Sequence, residues 1–223
     1  MSPPIRSLIF DFDGLILDTE GPEFQTWSEI YAEHGRELDF DLWATCIGTA
    51  EVFDPYAELE RQLGQPIDRE AVRKRRRARN QELLARLGPR PGVVDYLAEA
   101  RERGMGLAVA SSSPRSWVAG HLETLGLLDS FHALACADDV PTVKPDPALY
   151  LKALERLGVG ADEAMAFEDS PNGTLAAKRA GLLCVAIPND LTRRLSLDHA
   201  DRVLTSLAEL PLADLLEWAS GLG

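Results

Sequence analysis

Two carboxylates stand one residue apart in this chain, at Asp11 and Asp13, directly after the apolar run Leu8-Ile9-Phe10 and directly before Gly14. In extended backbone, residues i and i+2 project to the same side, so Asp11 and Asp13 are expected on one face and Phe12 on the other. Like charges held that close repel. The pair persists when a cation bridges it or when one acid keeps its proton. Either outcome is useful chemistry: a divalent ion with oxygen ligands can hold a phosphate, and a proton-carrying acid can serve a leaving oxygen. An ordinary Asp-Gly turn next to a strand-end cap is the other reading of the same residues.

Further polar clusters repeat this arrangement. Ser111-Ser112-Ser113 follows the apolar run Leu107-Ala108-Val109-Ala110, Lys144 lies beyond Ala133-Leu134-Ala135-Cys136, and Glu168-Asp169 ends Ala164-Met165-Ala166-Phe167. Ser111 offers a hydroxyl and neighbouring amides to phosphate oxygens, and Lys144 a fixed positive charge for a phosphoryl group. Glu168 and Asp169 can share a hard cation such as magnesium with the first pair. Taken singly, each reads equally well as a helix cap or a solvated loop residue. Their common position, each just past an apolar run, is what carries information.

Short apolar runs bounded by polar clusters read as strands buried on both faces. Further strands are expected at Leu183-Cys184-Val185-Ala186-Ile187 and Arg202-Val203-Leu204. Helical spacing marks Val93, Val94 and Leu97, then Trp117, Val118, Leu122 and Leu125, then Leu149, Tyr150, Leu154 and Leu157, and an Ala-rich helix reaching to Gly181. A last helix is expected to carry Leu207, Leu210, Leu215, Leu216 and Trp218. Such alternation implies an α/β protein with a parallel sheet and right-handed crossovers, which puts every polar cluster along one sheet edge. Between Glu20 and Leu87 the pattern is helical throughout: Phe24, Trp27, Ile30 and Tyr31, then Tyr56, Leu59 and Leu63, then a helix from about Arg69 to Leu87. A helical block of that length after the first strand reads as an insertion. It contains the basic run Arg73-Lys74-Arg75-Arg76-Arg77-Ala78-Arg79, whose charges must point all round a helix; Lys74 or Arg77 is expected to reach an anionic substrate.

With 223 residues the chain can bury a sizeable core, and a net charge of -13 argues against nucleic acid or an anionic membrane as partner. A phosphorylated ligand must then be met by local positive charge. Cys46, Cys136 and Cys184 lie far apart, which suits a reducing compartment, and no apolar run is long enough to span a membrane, so a cytoplasmic monomer is expected.

The chain resembles the haloacid dehalogenase superfamily, in the branch that includes β-phosphoglucomutase and sugar-phosphate phosphatases. The resemblance rests on Asp11-Phe12-Asp13-Gly14-Leu15-Ile16-Leu17-Asp18-Thr19-Glu20, Ala110-Ser111-Ser112-Ser113, Val143-Lys144-Pro145 and Phe167-Glu168-Asp169-Ser170-Pro171-Asn172-Gly173, in that order. It implies a Rossmann-like core over residues 1–18 and 89–223 and an α-helical cap over 19–88. It also implies magnesium-dependent hydrolysis of a small phosphorylated metabolite. By the same resemblance Asp11 is the nucleophile that forms an aspartyl phosphate. Asp13 is the general acid and base, and its backbone carbonyl binds magnesium. Ser111 holds the phosphoryl group, with Ser112 beside it as a substrate contact, and Lys144 links nucleophile and phosphate. Asp169 completes the metal site, with Glu168 acting directly or through water. Cap residues around Gly48, Thr49 and Lys74 are expected to form the substrate mouth.

Other activities in the same superfamily remain as alternatives. Mutase sequences carry a histidine where this chain has Glu23, which favours water as the final acceptor. Dehalogenases lack the second aspartate of the first motif. A phosphonate hydrolase would need a Schiff-base lysine in the cap, where Lys74 stands alone. A regulatory protein that keeps the fold without turnover is the non-enzyme alternative.

Overall fold

A computed structural model describes residues 4–45, 47 and 53–222. Its core is a six-stranded parallel sheet of order β3-β2-β1-β4-β5-β6. The strands are β1 (Ser7–Phe10), β2 (Gly106–Ala110), β3 (Ala133–Ala135), β4 (Ala164–Glu168), β5 (Leu183–Ala186) and β6 (Arg202–Val203). β1 lies in the interior, with Leu8 paired to Leu107 and Met165, and Phe10 to Val109 and Phe167. All four of its residues are buried, as a strand covered on both faces requires.

The period-2 alternation of the strands divides the core. Leu8, Phe10, Val109, Phe167 and Val185 pack against helices α5 (Val93–Glu102), α6 (Arg115–Thr124) and α9 (Leu212–Ser220). Ile9, Ala108, Ala110, Ala166 and Cys184 face α7 (Ala148–Leu157) and α8 (Pro171–Arg179). Alanine dominates the second face, and the small side chains bring those helices close to the sheet. The remaining helices, α1 (Glu20–Glu33), α2 (Phe40–Ala44), α3 (Pro55–Leu63) and α4 (Arg69–Leu84), fall between β1 and β2. They bury an apolar cluster of their own around Trp27, Ile30, Tyr31, Trp43, Leu59 and Val72, and Leu191 and Leu195 of the loop after β5 pack against it.

Strands β3, β5 and β6 each end one residue earlier than the sequence reading placed them, as does α6, and the helices differ further. Helix α2, capped by Asp39, is a short element with too few turns to show periodicity. α4 stops at Leu84, three residues before the expected Leu87. Leu207 and Leu210 do not belong to the last helix: Leu207 opens a 3-10 turn, and the helix begins only after Pro211. No described helix is long and apolar enough to cross a membrane.

Gly92 joins the helical segment's return to the core. It caps α5 at φ 87°, and a Cβ placed there would meet the Ala208 nitrogen at 2.3 Å. Gly126 shares a positive φ, 69°, but has open space around it. Gly126→Ala should therefore show only the torsional cost of about 1 kcal/mol, whereas Gly92→Ala should cost at least ~2 kcal/mol more. Thermal unfolding checks this, and equal melting temperatures for the two variants would refute the close-packing argument.

Candidate active site

The first motif begins where β1 ends. The Asp11 amide still donates to the Phe167 carbonyl at 2.9 Å, extending the ladder by one residue, and then the chain turns. The Ile16 amide returns to the Phe12 carbonyl at 3.0 Å, and Gly14 takes φ 78°. Phe12 enters the core while Asp11 stays at the sheet edge, only 6% exposed. Since Phe10 pairs with Phe167, the next residues along the two strands, Asp11 and Glu168, are neighbours.

Lys144 lies between them. Its Nζ is 2.7 Å from Asp11 Oδ1 and 2.6 Å from Glu168 Oε1, and all three side chains are buried. The Tyr150 hydroxyl also donates to Glu168 Oε1 at 2.6 Å, while Glu168 Oε2 accepts from the Asp169 and Ser170 amides and the Ser170 hydroxyl. Asp169 Oδ2 accepts from Asn189 Nδ2 at 2.8 Å. Glycines permit this crowding: a Cβ at Gly14 would lie 2.1 Å from Asp169 Oδ2, and one at Gly173 would lie 2.0 Å from the Glu168 carboxyl.

Asp11, Glu168 and Asp169 each offer a carboxylate oxygen, and these oxygens lie within 4.8 Å of one another. Three buried acids face one ammonium, so two negative charges remain uncompensated. Burial pushes the Asp11 carboxyl up, and the charges of Glu168 and Asp13 add to this against the pull of Lys144. Burial likewise raises Asp169, with Asp11 and Glu168 contributing. Burial alone would lower Lys144, but Asp11 and Glu168 hold it as a cation well above its ordinary value. Such a site must take up protons or a cation. An all-oxygen donor set with excess negative charge fits a hard divalent ion. Glu168 already uses both its oxygens, which leaves Asp11 and Asp169 the freer ligands.

The Asp13 side chain lies outside that group. Ser113 Oγ at 2.6 Å and Ser111 Oγ at 3.3 Å donate to its Oδ2, and Trp117 Nε1 at 2.9 Å and Thr19 Oγ1 at 3.0 Å donate to its Oδ1. Ser111 thus faces Asp13, whereas the Ser112 hydroxyl beside it is buried with no partner. A buried hydroxyl left unpaired is a free donor for a ligand oxygen. Glu20, at the start of α1, is pushed up to about 8 by burial and by the charges of Asp13, Glu23 and Asp11.

The structure brings Asp11, Lys144, Glu168 and Asp169 together and sets Asp13, Ser111 and Ser112 next to them. Gly48, Thr49 and Cys46 lie outside the described residues. Lys74 and Arg77 are exposed, and Arg76 between them turns inward instead, on the stripe Val72-Arg76-Asn80-Leu84 that follows i,i+4 spacing toward α1. The sequence reading missed Trp117 and Tyr150, taken as apolar helix positions, and also Ser113, Thr19 and Asn189. For Tyr150 and Trp117 a signal existed, because a buried hydroxyl or indole N–H seeks a polar partner.

Residues 8–187 match the family model of haloacid dehalogenase-like hydrolases, and the chain belongs to that family. Among its relatives, the protein YhcW of Bacillus subtilis (strain 168) is 47% identical over 213 residues, covering 96% of this chain and 97% of the relative. Hexitol phosphatase B of Escherichia coli (strain K12) is 34% identical, covering 97% of this chain and all of that protein. The crystal structure of CbbY from Rhodobacter sphaeroides in complex with phosphate is 33% identical with a TM-score of 0.76, covering 95% of this chain and 99% of that one.

The raised acids fix a sign for pH dependence. Without metal, folded Asp11 and Glu20 keep, up to about pH 8, protons that the unfolded chain releases near pH 4, and Asp169 is raised in the same direction, so the contribution of these groups to stability is lost as pH rises. Metal-free protein should melt lower at about pH 8.5 than at about pH 6, and magnesium should raise the melting temperature more at the higher pH. Calorimetry with chelator and with magnesium tests this, and an equal magnesium increment at both pH values would remove the charge argument.

Proposed function

We propose that this chain is a magnesium-dependent phosphatase that hydrolyses a small phosphomonoester, such as a sugar phosphate, through an aspartyl phosphate on Asp11. The observation that carries this reading is the buried Asp11–Lys144–Glu168 bridge with Asp169 beside it, where negative charge is in excess and an unpartnered Ser112 hydroxyl waits. Family membership and a relative named hexitol phosphatase support it. Residues 19–88 serve as an α-helical cap on a core formed by 1–18 and 89–223.

Asp11, Asp169 and the Asp13 backbone carbonyl would hold magnesium, with Glu168 orienting them. The ion supplies charge neutralisation for the phosphoryl oxygens. An Asp11 carboxylate oxygen attacks phosphorus, and the bond from phosphorus to the ester oxygen breaks as Asp13 gives that oxygen a proton. Water then attacks phosphorus and gives a proton to Asp13, the bond from phosphorus to the Asp11 oxygen breaks, and inorganic phosphate leaves with the Asp11 carboxylate restored. Lys144 keeps the nucleophile oriented and offsets charge on the phosphoryl group, and Ser111 and Ser112 hydrogen-bond it. The two free thiols described, Cys136 and Cys184, support work in a reducing cytoplasm.

Hydrolysis of p-nitrophenyl phosphate with magnesium is the direct test. Asp11→Asn should reduce turnover by at least ~10³-fold with circular dichroism unchanged; substantial residual turnover would refute the nucleophile.

Trp117 gives a second, finer expectation. Its indole N–H orients Asp13, so Trp117→Phe should lower kcat roughly tenfold with little change in KM. The loss should be larger for an alkyl phosphate, whose leaving oxygen needs the proton more, than for p-nitrophenyl phosphate. A loss equal for both substrates would make Trp117 a packing residue only.

A further inference from the structure

The basic helix α4 sends one arginine inward, and that arginine does not stay free. Arg76 Nη1 pairs with Glu23 Oε1 at 2.5 Å, and its guanidinium lies over the Trp27 ring at 4.9 Å. Asn80, one turn further along α4, donates from Nδ2 to Glu23 Oε2 at 2.9 Å. The group borders the reacting acids: the Glu23 amide donates to the Thr19 carbonyl, Thr19 donates to Asp13, and Glu20 feels the charges of both Glu23 and Asp13.

Two features of the group concern a ligand. The Arg76 side chain is 14% exposed and that of Glu23 31%, so the more open part of the pair is the anion, with the cation beneath it. Arg76 Nε and Asn80 Oδ1 are buried and unpartnered. They are one donor and one acceptor, which together complement a hydroxyl and not a second phosphate. Other cations near the site are committed elsewhere: Lys144 to Asp11 and Glu168, Arg115 to Asp139 and the Leu134 carbonyl, and Arg90 to three backbone carbonyls.

We propose that Glu23 is a specificity-determining residue: by neutralising Arg76 it makes the far end of the substrate site accept the hydroxyls of a neutral polyhydroxylated phosphomonoester and reject a second phosphate. The proposal rests on the phosphatase reading for its ligand class. A dianion placed against the Glu23 carboxylate meets like charge in a partly desolvated place, whereas a hydroxyl can donate to the same oxygen. Removing the carboxylate charge frees Arg76 to pair with an anion.

The test compares binding of fructose 6-phosphate and fructose 1,6-bisphosphate by titration calorimetry with magnesium, in full-length protein carrying Asp11→Asn to prevent turnover. Adding Glu23→Gln should shift the preference toward the bisphosphate by about tenfold or more, the size of one charge-assisted hydrogen bond gained. Adding Arg76→Gln instead should not shift it toward the bisphosphate, because Glu23 remains and the cation is gone; this arm also serves if the Glu23 variant fails to fold. A preference unchanged within about twofold by Glu23→Gln, tighter binding of the bisphosphate when Glu23 is intact, or no binding of either sugar phosphate overturns the proposal. Failure of the parent protein to hydrolyse p-nitrophenyl phosphate, with the binding shift present, would sink the phosphatase reading and leave the selectivity standing.

Discussion

The structure depends on a charge imbalance. Lys144 is shared between Asp11 and Glu168, and Asp169 stands beside them, so that one buried ammonium is set against three buried carboxylates. An isolated buried acid pair would protonate or open to water. Here the excess is held by the sheet, because β1 and β4 run side by side and leave no freedom to separate the acids at their ends. A cluster with a standing deficit of positive charge fits a cation.

The rest of the fold can be read as support for that deficit. Glu168 does not carry its charge alone: Tyr150, Lys144, Ser170 and two backbone amides saturate it, and α8 begins directly behind it with Ser170 as its cap. A helix N-terminus favours negative charge, so the acids at the end of β4 sit where α8 stabilises them. Gly14 and Gly173 have no side chains because carboxylates occupy the space. Asn189, from the loop after β5, fixes Asp169 from the far side and is itself locked by bonds to Leu191 and Thr192.

Much of this was legible in the sequence for a simple reason. Apolar runs that end in Asp11, Ser111 and Glu168 state both the strand and the edge, and parallel topology then forces the clusters together. Lys144 was legible as a positive charge at the same edge, but its bridge from Asp11 to Glu168 was not. What escaped notice was side-chain partnership across distant segments. Trp117 satisfies a helical apolar pattern and yet spends its N–H on Asp13; Tyr150 does the same toward Glu168. The basic run misled differently. Seven residues of nearly uniform charge erase the amphipathic contrast that normally reveals the inward face, so Lys74 and Arg77 looked equivalent to Arg76. Only the flanking stripe of Val72, Asn80 and Leu84 separates them, since on a helix Lys74 lies about 200° and Arg77 about 100° round the axis from Arg76.

The helical segment enters and leaves the core through residues tied to the turn that carries Asp13. On the way out, Thr19 donates to Asp13. On the way back, the Arg90 amide donates to the Ile16 carbonyl, and its guanidinium donates to the carbonyls of Gly14, Ile187 and Pro188. Burial lowers Arg90, and the field of Asp169, Asp18 and Asp190 offsets this in part, so a partly desolvated cation is kept where the carbonyls and acids converge. Both crossings therefore grip the turn that carries Asp13, and Arg90 also grips the loop that presents Asn189 to Asp169. A rotation of the helical segment about these crossings would pull on Asp13 and on Asn189 at once. The connections that attach the segment are thus the same ones that fix Asp13 and, through the loop of Asn189, Asp169.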